Sequence, residues 1–217
     1  MPNSQLKVKR IVSVPFEENA YLAYLDGSGE CVVVDPGLEP NRVVEAVREA
    51  GLRPTAILNT HGHSDHIAGN ESLKDAWPDC ELVIGHGDAE KLTNPTLNLS
   101  AMFGASLTSP PADRLVADGE RFSAAGIALR VAEIPGHSVG HVVYIAEEVD
   151  PLVVFVGDVI FAGSVGRTDF PDGDFDALAR GIREKLYALP DETRLLCGHG
   201  PETTVGQEKQ GNPFVSG

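Results

Sequence analysis

The 217-residue sequence predicts a mixed α/β fold, and three observations carry that prediction. Short runs rich in Val, Ile, Leu and aromatic residues recur along the whole length. Helical periodicities are interleaved with them rather than confined to one half. The residues best suited to chemistry stand just beyond the strand-like runs, where mixed α/β folds gather a site along one sheet edge.

In chain order, extended segments are predicted at 8–14, 21–25, 31–35, 55–59, 81–84, 127–134, 141–146, 152–156 and 193–197, each a short β-rich run. A helix is predicted over 40–50, because Val43, Val44 and Val47 share one face and Gly51 follows as a terminator. A second is predicted over 175–189, where Leu178, Ile182 and Leu186 recur at spacings of four. Residues 94–113 are polar, proline-bearing and weakly patterned, which fits a loop over a site and an inert surface connection equally. No fixed-period repeat, low-complexity block or linker stands out. A single domain spanning 1–217 is expected, since 42% apolar content suffices for a substantial core.

Charge narrows the function classes. Seventeen Lys and Arg stand against 32 Asp and Glu, a formal net charge of −15, and no basic patch is visible. A nucleic-acid backbone would meet net repulsion. The segment from Met1 to Lys7 lacks the basic start and long apolar stretch of a signal peptide. The longest apolar run, 152–156, is far short of the ~20 residues a bilayer requires. A cytoplasmic protein acting on a small molecule is expected, with no nucleic acid and no membrane; oligomeric state is not legible. Cys31, Cys80 and Cys197 show no paired or C-x-x-C spacing, which argues against a disulfide framework or a cysteine-held zinc. Cys31 and Cys80 read as small apolar strand residues. Cys197 lies two residues from His199, so its thiol either neighbours the site or packs behind it.

The densest chemistry is Thr60-His61-Gly62-His63-Ser64-Asp65-His66, which holds three of the seven histidines and a carboxylate straight after a strand. His61 and His63 alternate on an extended segment, project to one side and can grip one ion. Asp65 and His66 come a step later and are placed to reach a second ion. Imidazole and carboxylate donors suit zinc and its first-row neighbours. Asp35, His137, Asp158 and His199 each follow another strand, the last three directly after a glycine that lets the backbone turn sharply.

These residues, in this order, resemble the metallo-β-lactamase superfamily: Val34-Asp35-Pro36-Gly37, Thr60 to His66, Pro135-Gly136-His137-Ser138, Gly157-Asp158 and Cys197-Gly198-His199-Gly200. The segments Gly157-Asp158-Val159-Ile160-Phe161 and Gly166-Arg167-Thr168-Asp169-Phe170-Pro171, with Asn212-Pro213-Phe214 near the end, are similar to the small glyoxalase II-like hydrolases. The resemblance implies an αββα sandwich with metals at one edge of the two sheets. It implies His61, His63 and His137 on one ion, Asp65, His66 and His199 on a second, and Asp158 bridging. Asp35 would orient a ligand histidine. Two divalent ions, zinc foremost and iron or manganese also compatible, would activate water for attack on a thioester such as S-lactoylglutathione. Asp65 and Asp158 are the candidate catalytic carboxylates.

The chain departs from full-length glyoxalase II in two respects. Only 16 residues follow Pro201, too few for the C-terminal helical region that meets glutathione, and Pro201 stands where those enzymes carry a tyrosine. Arg167 is the remaining candidate for a substrate carboxylate, with a structural contact to Asp169 as the competing expectation. The alternatives are a mononuclear iron persulfide dioxygenase using His61, His137 and Asp158, a phosphodiesterase or nuclease on the same scaffold, and a non-enzymatic member of the fold. His141 is expected to be structural, His86 structural or superficial, and Trp77 a packing residue.

Overall fold

The computed structural model describes residues 5–217; Met1 to Ser4, part of the segment read against a signal peptide, lie outside the described residues. Six strands form the first sheet in sequential order: β1 (Leu6–Ser13), β2 (Glu18–Leu25), β3 (Glu30–Val34), β4 (Arg53–Asn59), β5 (Glu81–Gly85) and β6 (Arg114–Val116). The first three pair antiparallel, and β3 to β6 run parallel through crossovers. Those crossovers contain α1 (Pro40–Glu49), α2 (Ser64–Ile67) and α3 (Asn70–Ala76).

The second sheet contains β7 (Arg121–Ala124), β8 (Ile127–Glu133), β9 (Val142–Ala146) and β10 (Val153–Gly157). A small hairpin follows, β11 (Ile160–Phe161) with β12 (Ser164–Val165), then α4 (Phe175–Gly181), β13 (Arg194–Cys197), β14 (Thr203–Thr204) and α5 (Val205–Gly211). The order in the sheet is β14-β13-β10-β9-β8-β7, with β10 and β13 parallel.

Alternation along each strand divides the apolar residues between two faces. Val32 and Val34, Ala56 and Leu58, and Val83 point into one core, where they meet Leu129, Val131, Tyr144 and Phe155 of the other sheet. Cys31, Val33, Ile57, Leu82 and Ile84 point the opposite way onto α1 and α3. Val143, Ile145, Val154 and Val156 face Leu178, Ile182 and Val205 of the second helical layer. Strands buried on both faces need continuous apolar runs. The result is four layers, helix, sheet, sheet, helix: the expected αββα sandwich.

Several element bounds differ from the sequence expectation by a residue or two, and one helix changes character. The segment expected as one helix over 175–189 is α-helical only to Gly181; a π turn follows over Ile182–Leu186. Asp174 caps its start by accepting from the Ala177 amide. The short elements β6, β7, β11, β12, β14, α3 and α5 were not visible as periodic runs, being two to seven residues long. Cys31, Cys80 and Cys197 are all free and buried. Among the described residues, no helix is long and apolar enough to cross a membrane.

Candidate metal centre

Strands β3, β4, β8, β10 and β13 all end at one edge. There the two sheets are joined by backbone hydrogen bonds, Val142 N to Thr60 O (2.9 Å) and Asn19 N to Gly198 O (2.7 Å). Beyond β4 the chain runs extended through His61 and His63, then turns into α2, which carries Asp65 and His66. His137 lies between β8 and β9, Asp158 directly follows β10, and His199 follows β13. Candidate ligand atoms of His61, His63 and His137 lie within 4.8 Å of one another, and those of Asp65, His66 and His199 do likewise. Asp158 stands between the two groups: its Oδ1 is 3.5 Å from His66 Nε2, and its Oδ2 is 3.5 Å from both His137 Nε2 and His199 Nε2.

The far nitrogens explain why these rings face inward. His66 Nδ1 donates to Asp35 Oδ2 (3.1 Å), His137 Nδ1 to the Arg167 carbonyl (2.9 Å) and His199 Nδ1 to the Phe16 carbonyl (3.0 Å). His61 Nδ1 contacts Thr60 Oγ1 (3.1 Å), whose hydroxyl donates to Asp35 Oδ2 (2.7 Å). Each partner selects the tautomer that leaves Nε2 unprotonated. His63 is turned differently, with Nδ1 lying 2.9 Å from His137 Nε2. Asp35 also accepts from the Thr60 amide (2.8 Å), so its oxygens are committed to orienting neighbours.

A divalent pair fits this donor set. The Nε2 atoms of His61 and His66 and Oδ1 of Asp158 are buried without a hydrogen-bond partner. Buried polar atoms are rarely left so, and a cluster of lone pairs aimed at one centre is what a cation would satisfy. Burial, reinforced by neighbouring imidazoles, holds His61 and His63 well below the ordinary imidazole range, which keeps them in the neutral, ligating form. Burial opposes charge on His66 and His199 too, but the carboxylates of Asp158 and Asp65 override it and raise both, His199 to about 10. A proton and a metal therefore compete for those two nitrogens. Asp158 would be raised by burial, yet the His66 and His199 imidazoles hold it well below the usual carboxylate range.

Close packing around Asp158 requires glycine at two places. Gly157 has φ +49°, and a Cβ there would stand 2.3 Å from Thr60 Oγ1; a Cβ on Gly198 would stand 2.2 Å from Asp158 Oδ1.

Sequence reasoning missed Asp88. It is fully buried and accepts from the Gly62 amide (2.8 Å), the Gly140 amide (2.8 Å) and the Ser138 hydroxyl (2.5 Å). One carboxylate thereby ties the His61–His63 segment to the loop that carries His137. Lys91 Nζ completes the cluster, 3.4 Å from Asp88 and 2.5 Å from Asp172. The signal is present in the chain, since Asp88 follows β5 as Asp35 follows β3; the neighbouring His86 is exposed. His141 is buried, stacks on His61 at 4.7 Å and accepts the Asp158 amide at Nε2 (3.1 Å). Trp77 packs on the first helical layer under Arg48. Cys197 is part of the second apolar core, where burial pushes its thiol up to about 12.

The centre opens into a cavity of about 380 Å³. Residues 98, 99 and 103, from the weakly patterned 94–113 stretch, form part of its wall, and the Ser64 amide holds that stretch by donating to the Asn98 carbonyl (2.9 Å). Arg167 also lines the cavity, but its guanidinium makes two hydrogen bonds to Asp169 (2.6 and 2.7 Å) and stacks on Phe170.

Glu18 is a second buried carboxyl that the motifs did not reveal, and neither oxygen has a partner. Burial raises it well above the usual carboxylate range; His66 and His199 pull it down, and Asp35 and Asp65 push it up. Below the unfolded-chain value of about 4.3 both states hold the proton. Above it the unfolded chain ionises first, so stability is lost as pH rises toward the folded value. Glu18→Gln in chelator-treated protein is expected to flatten the fall in Tm between pH 5 and 8 and to raise Tm at pH 8, by roughly 2–4 °C per kcal/mol gained. Parallel Tm–pH curves for the two proteins would show that Glu18 ionises normally.

A four-layer sandwich with imidazoles and carboxylates converging at the shared edge of its sheets defines a hydrolase-type fold with a candidate divalent-metal site. The chain belongs to the metallo-beta-lactamase superfamily, whose profile matches residues 14–199. It is 34% identical over 218 residues to the hydroxyacylglutathione hydrolase GloC of Haemophilus influenzae, covering 97% of this chain and 99% of that protein. The crystal structure of the BLEG-1 B3 metallo-beta-lactamase superposes with a TM-score of 0.92 at 36% identity, covering 97% of this chain and 100% of the other. That of TTHA1623 in a di-iron-bound form gives 0.83 at 37% identity, covering 95% and 100%.

Proposed function

We infer that the protein is a dinuclear metal-dependent thioesterase acting on an acyl-thiol of the chemical class to which S-lactoylglutathione belongs. One observation carries the two-ion reading: Asp158 is 3.5 Å from imidazoles of both histidine groups, and its Oδ1 and the Nε2 atoms of His61 and His66 are buried without a partner. The hydroxyacylglutathione hydrolase relative supports the thioester, and the di-iron form of a similar structure supports two ions, with zinc, iron and manganese all matching the donors.

His61, His63 and His137 would hold one ion and Asp65, His66 and His199 the other, with Asp158 shared. Bound there, the ions would supply Lewis acidity and lower the pKa of a bound water toward about 7. The chain's own residues do the rest. Asp35, Thr60 and the carbonyls of Phe16 and Arg167 fix the imidazoles, so the ligand atoms need no reorganisation during the reaction. Asp65, partly exposed and held ionised by His66 and His199, accepts a proton at the cavity floor. Water oxygen bonds to the carbonyl carbon, the C–S bond breaks, and the thiolate departs to be protonated, giving acid and thiol.

Steady-state hydrolysis of S-D-lactoylglutathione and a neutral acyl thioester, after reconstitution with zinc, iron or manganese, tests this reading, with metal content measured in parallel. Turnover with two ions per chain is expected. One iron per chain, with oxygen consumed on addition of a persulfide and no thioester cleaved, would replace it with the dioxygenase reading.

A further inference from the structure

The wall of the cavity is apolar on the sides that face an incoming molecule. Phe16, Leu99, Phe103, Phe161, Val165 and Phe170 surround the ligand side chains. Phe170 stands edge-on to His63 at 5.3 Å and Phe161 to His199 at 6.0 Å, so the apolar surface begins where the ligand rings end. Phe16 and Phe103 meet edge to face at 5.8 Å at the mouth. Three separate segments supply these groups, from the β1–β2 turn, the 94–113 stretch and the hairpin with the loop after it.

Leu99 shows that this lining is held in place. Its φ is +68°, a left-handed backbone that a leucine adopts only under constraint. Asn98 imposes the constraint, donating to the Lys91 and Leu107 carbonyls and accepting from the Ser100 amide, each at 3.0 Å. The consequence is a buried leucine, 7% exposed, set against the cavity.

Charge points the same way. Among the described residues lining the cavity, Arg167 is the one Lys or Arg, and its guanidinium is engaged by Asp169 and Phe170. A thiol carrying carboxylates would enter an acidic protein, formal charge −15, without a free cation to meet it.

We propose that the cavity selects acyl thioesters whose acyl group is apolar and whose thiol portion is uncharged, over thioesters of acidic peptide thiols such as glutathione. The inference rests on the thioesterase reading and names its substrate class. The reaction is unchanged: a C–O bond from water replaces the C–S bond, and the thiolate leaves and is protonated. Apolar contacts stabilise the bound acyl chain by removing methylenes from water.

The test measures kcat/KM of the metal-reconstituted protein for acetyl, butyryl and hexanoyl thioesters of N-acetylcysteamine, for hexanoylglutathione and for S-D-lactoylglutathione. The expected rise is about two- to threefold per methylene, at least tenfold from acetyl to hexanoyl. Hexanoylglutathione, with the same acyl group, is expected to be several-fold slower than its N-acetylcysteamine counterpart. Phe103→Ser is expected to lower the hexanoyl-to-acetyl ratio at least threefold; Phe103 is 65% exposed, so the fold does not depend on it. Circular dichroism and metal content check that variant. A flat chain-length series, or faster cleavage of the glutathione thioesters, overturns the substrate class while the thioesterase reading stands. No cleavage of any thioester overturns both.

Discussion

Asp158→Ala is expected to lower kcat/KM by at least about 10³-fold while the chain stays folded. The magnitude follows from its position. The two oxygens of Asp158 are the atoms that approach imidazoles of both histidine groups, and one of them is buried without a partner. On the two-ion reading the carboxylate is a shared anionic ligand, so its removal should lower metal content from two per chain toward one or none. It also removes the foremost of the carboxylates that raise His66 and His199, leaving Asp65, so both imidazoles become easier to deprotonate. Asp158→Asn, which keeps the shape, separates charge from packing and is expected to resemble the alanine variant. Rates and metal content within threefold of the parent in both variants would remove Asp158 from the centre.

Asp88→Ala is expected to cost about 3–5 kcal/mol, a fall in Tm of roughly 10 °C. Three donors lose their acceptor at once: the Gly62 amide, the Gly140 amide and the Ser138 hydroxyl. Lys91, nearly buried, keeps only Asp172 as a carboxylate partner. A buried donor without an acceptor forfeits its full desolvation cost, larger than the net worth of the bond. Gly62 separates His61 from His63, and Gly140 sits in the loop after His137, so the variant should also bind metal more weakly. Thermal denaturation with and without metal checks both effects. A Tm loss under about 2 °C would show that the two loops hold their places without the carboxylate.

Strands buried on both faces were legible because burial demands apolar residues at successive positions, as in Val32-Val33-Val34 and Val153-Val154-Phe155-Val156. The helix at Pro40–Glu49 was legible from Val43, Val44 and Val47 and from Gly51, whose φ of +65° ends it. The seven candidate ligands stood out because histidine and aspartate in clusters beyond strand ends have few other uses. Two-residue strands such as β14 and the switch to a π turn at Ile182 carry no periodic signature and depend on what packs against them.

The amino-acid sequence by itself determined the donor types, their order along the chain and the strands that precede them. These are local properties, written in spacing and alternation. Tertiary structure alone decided that Asp88 ties two ligand loops together, that Glu18 is buried, and that the Arg167 carbonyl orients His137 while its guanidinium turns to Asp169. It also decided that aromatic residues from distant segments wall one cavity. Each is a contact between residues far apart in the chain, except the Arg167–Asp169 pair, and such contacts come from how layers pack rather than from periodicity within any one segment.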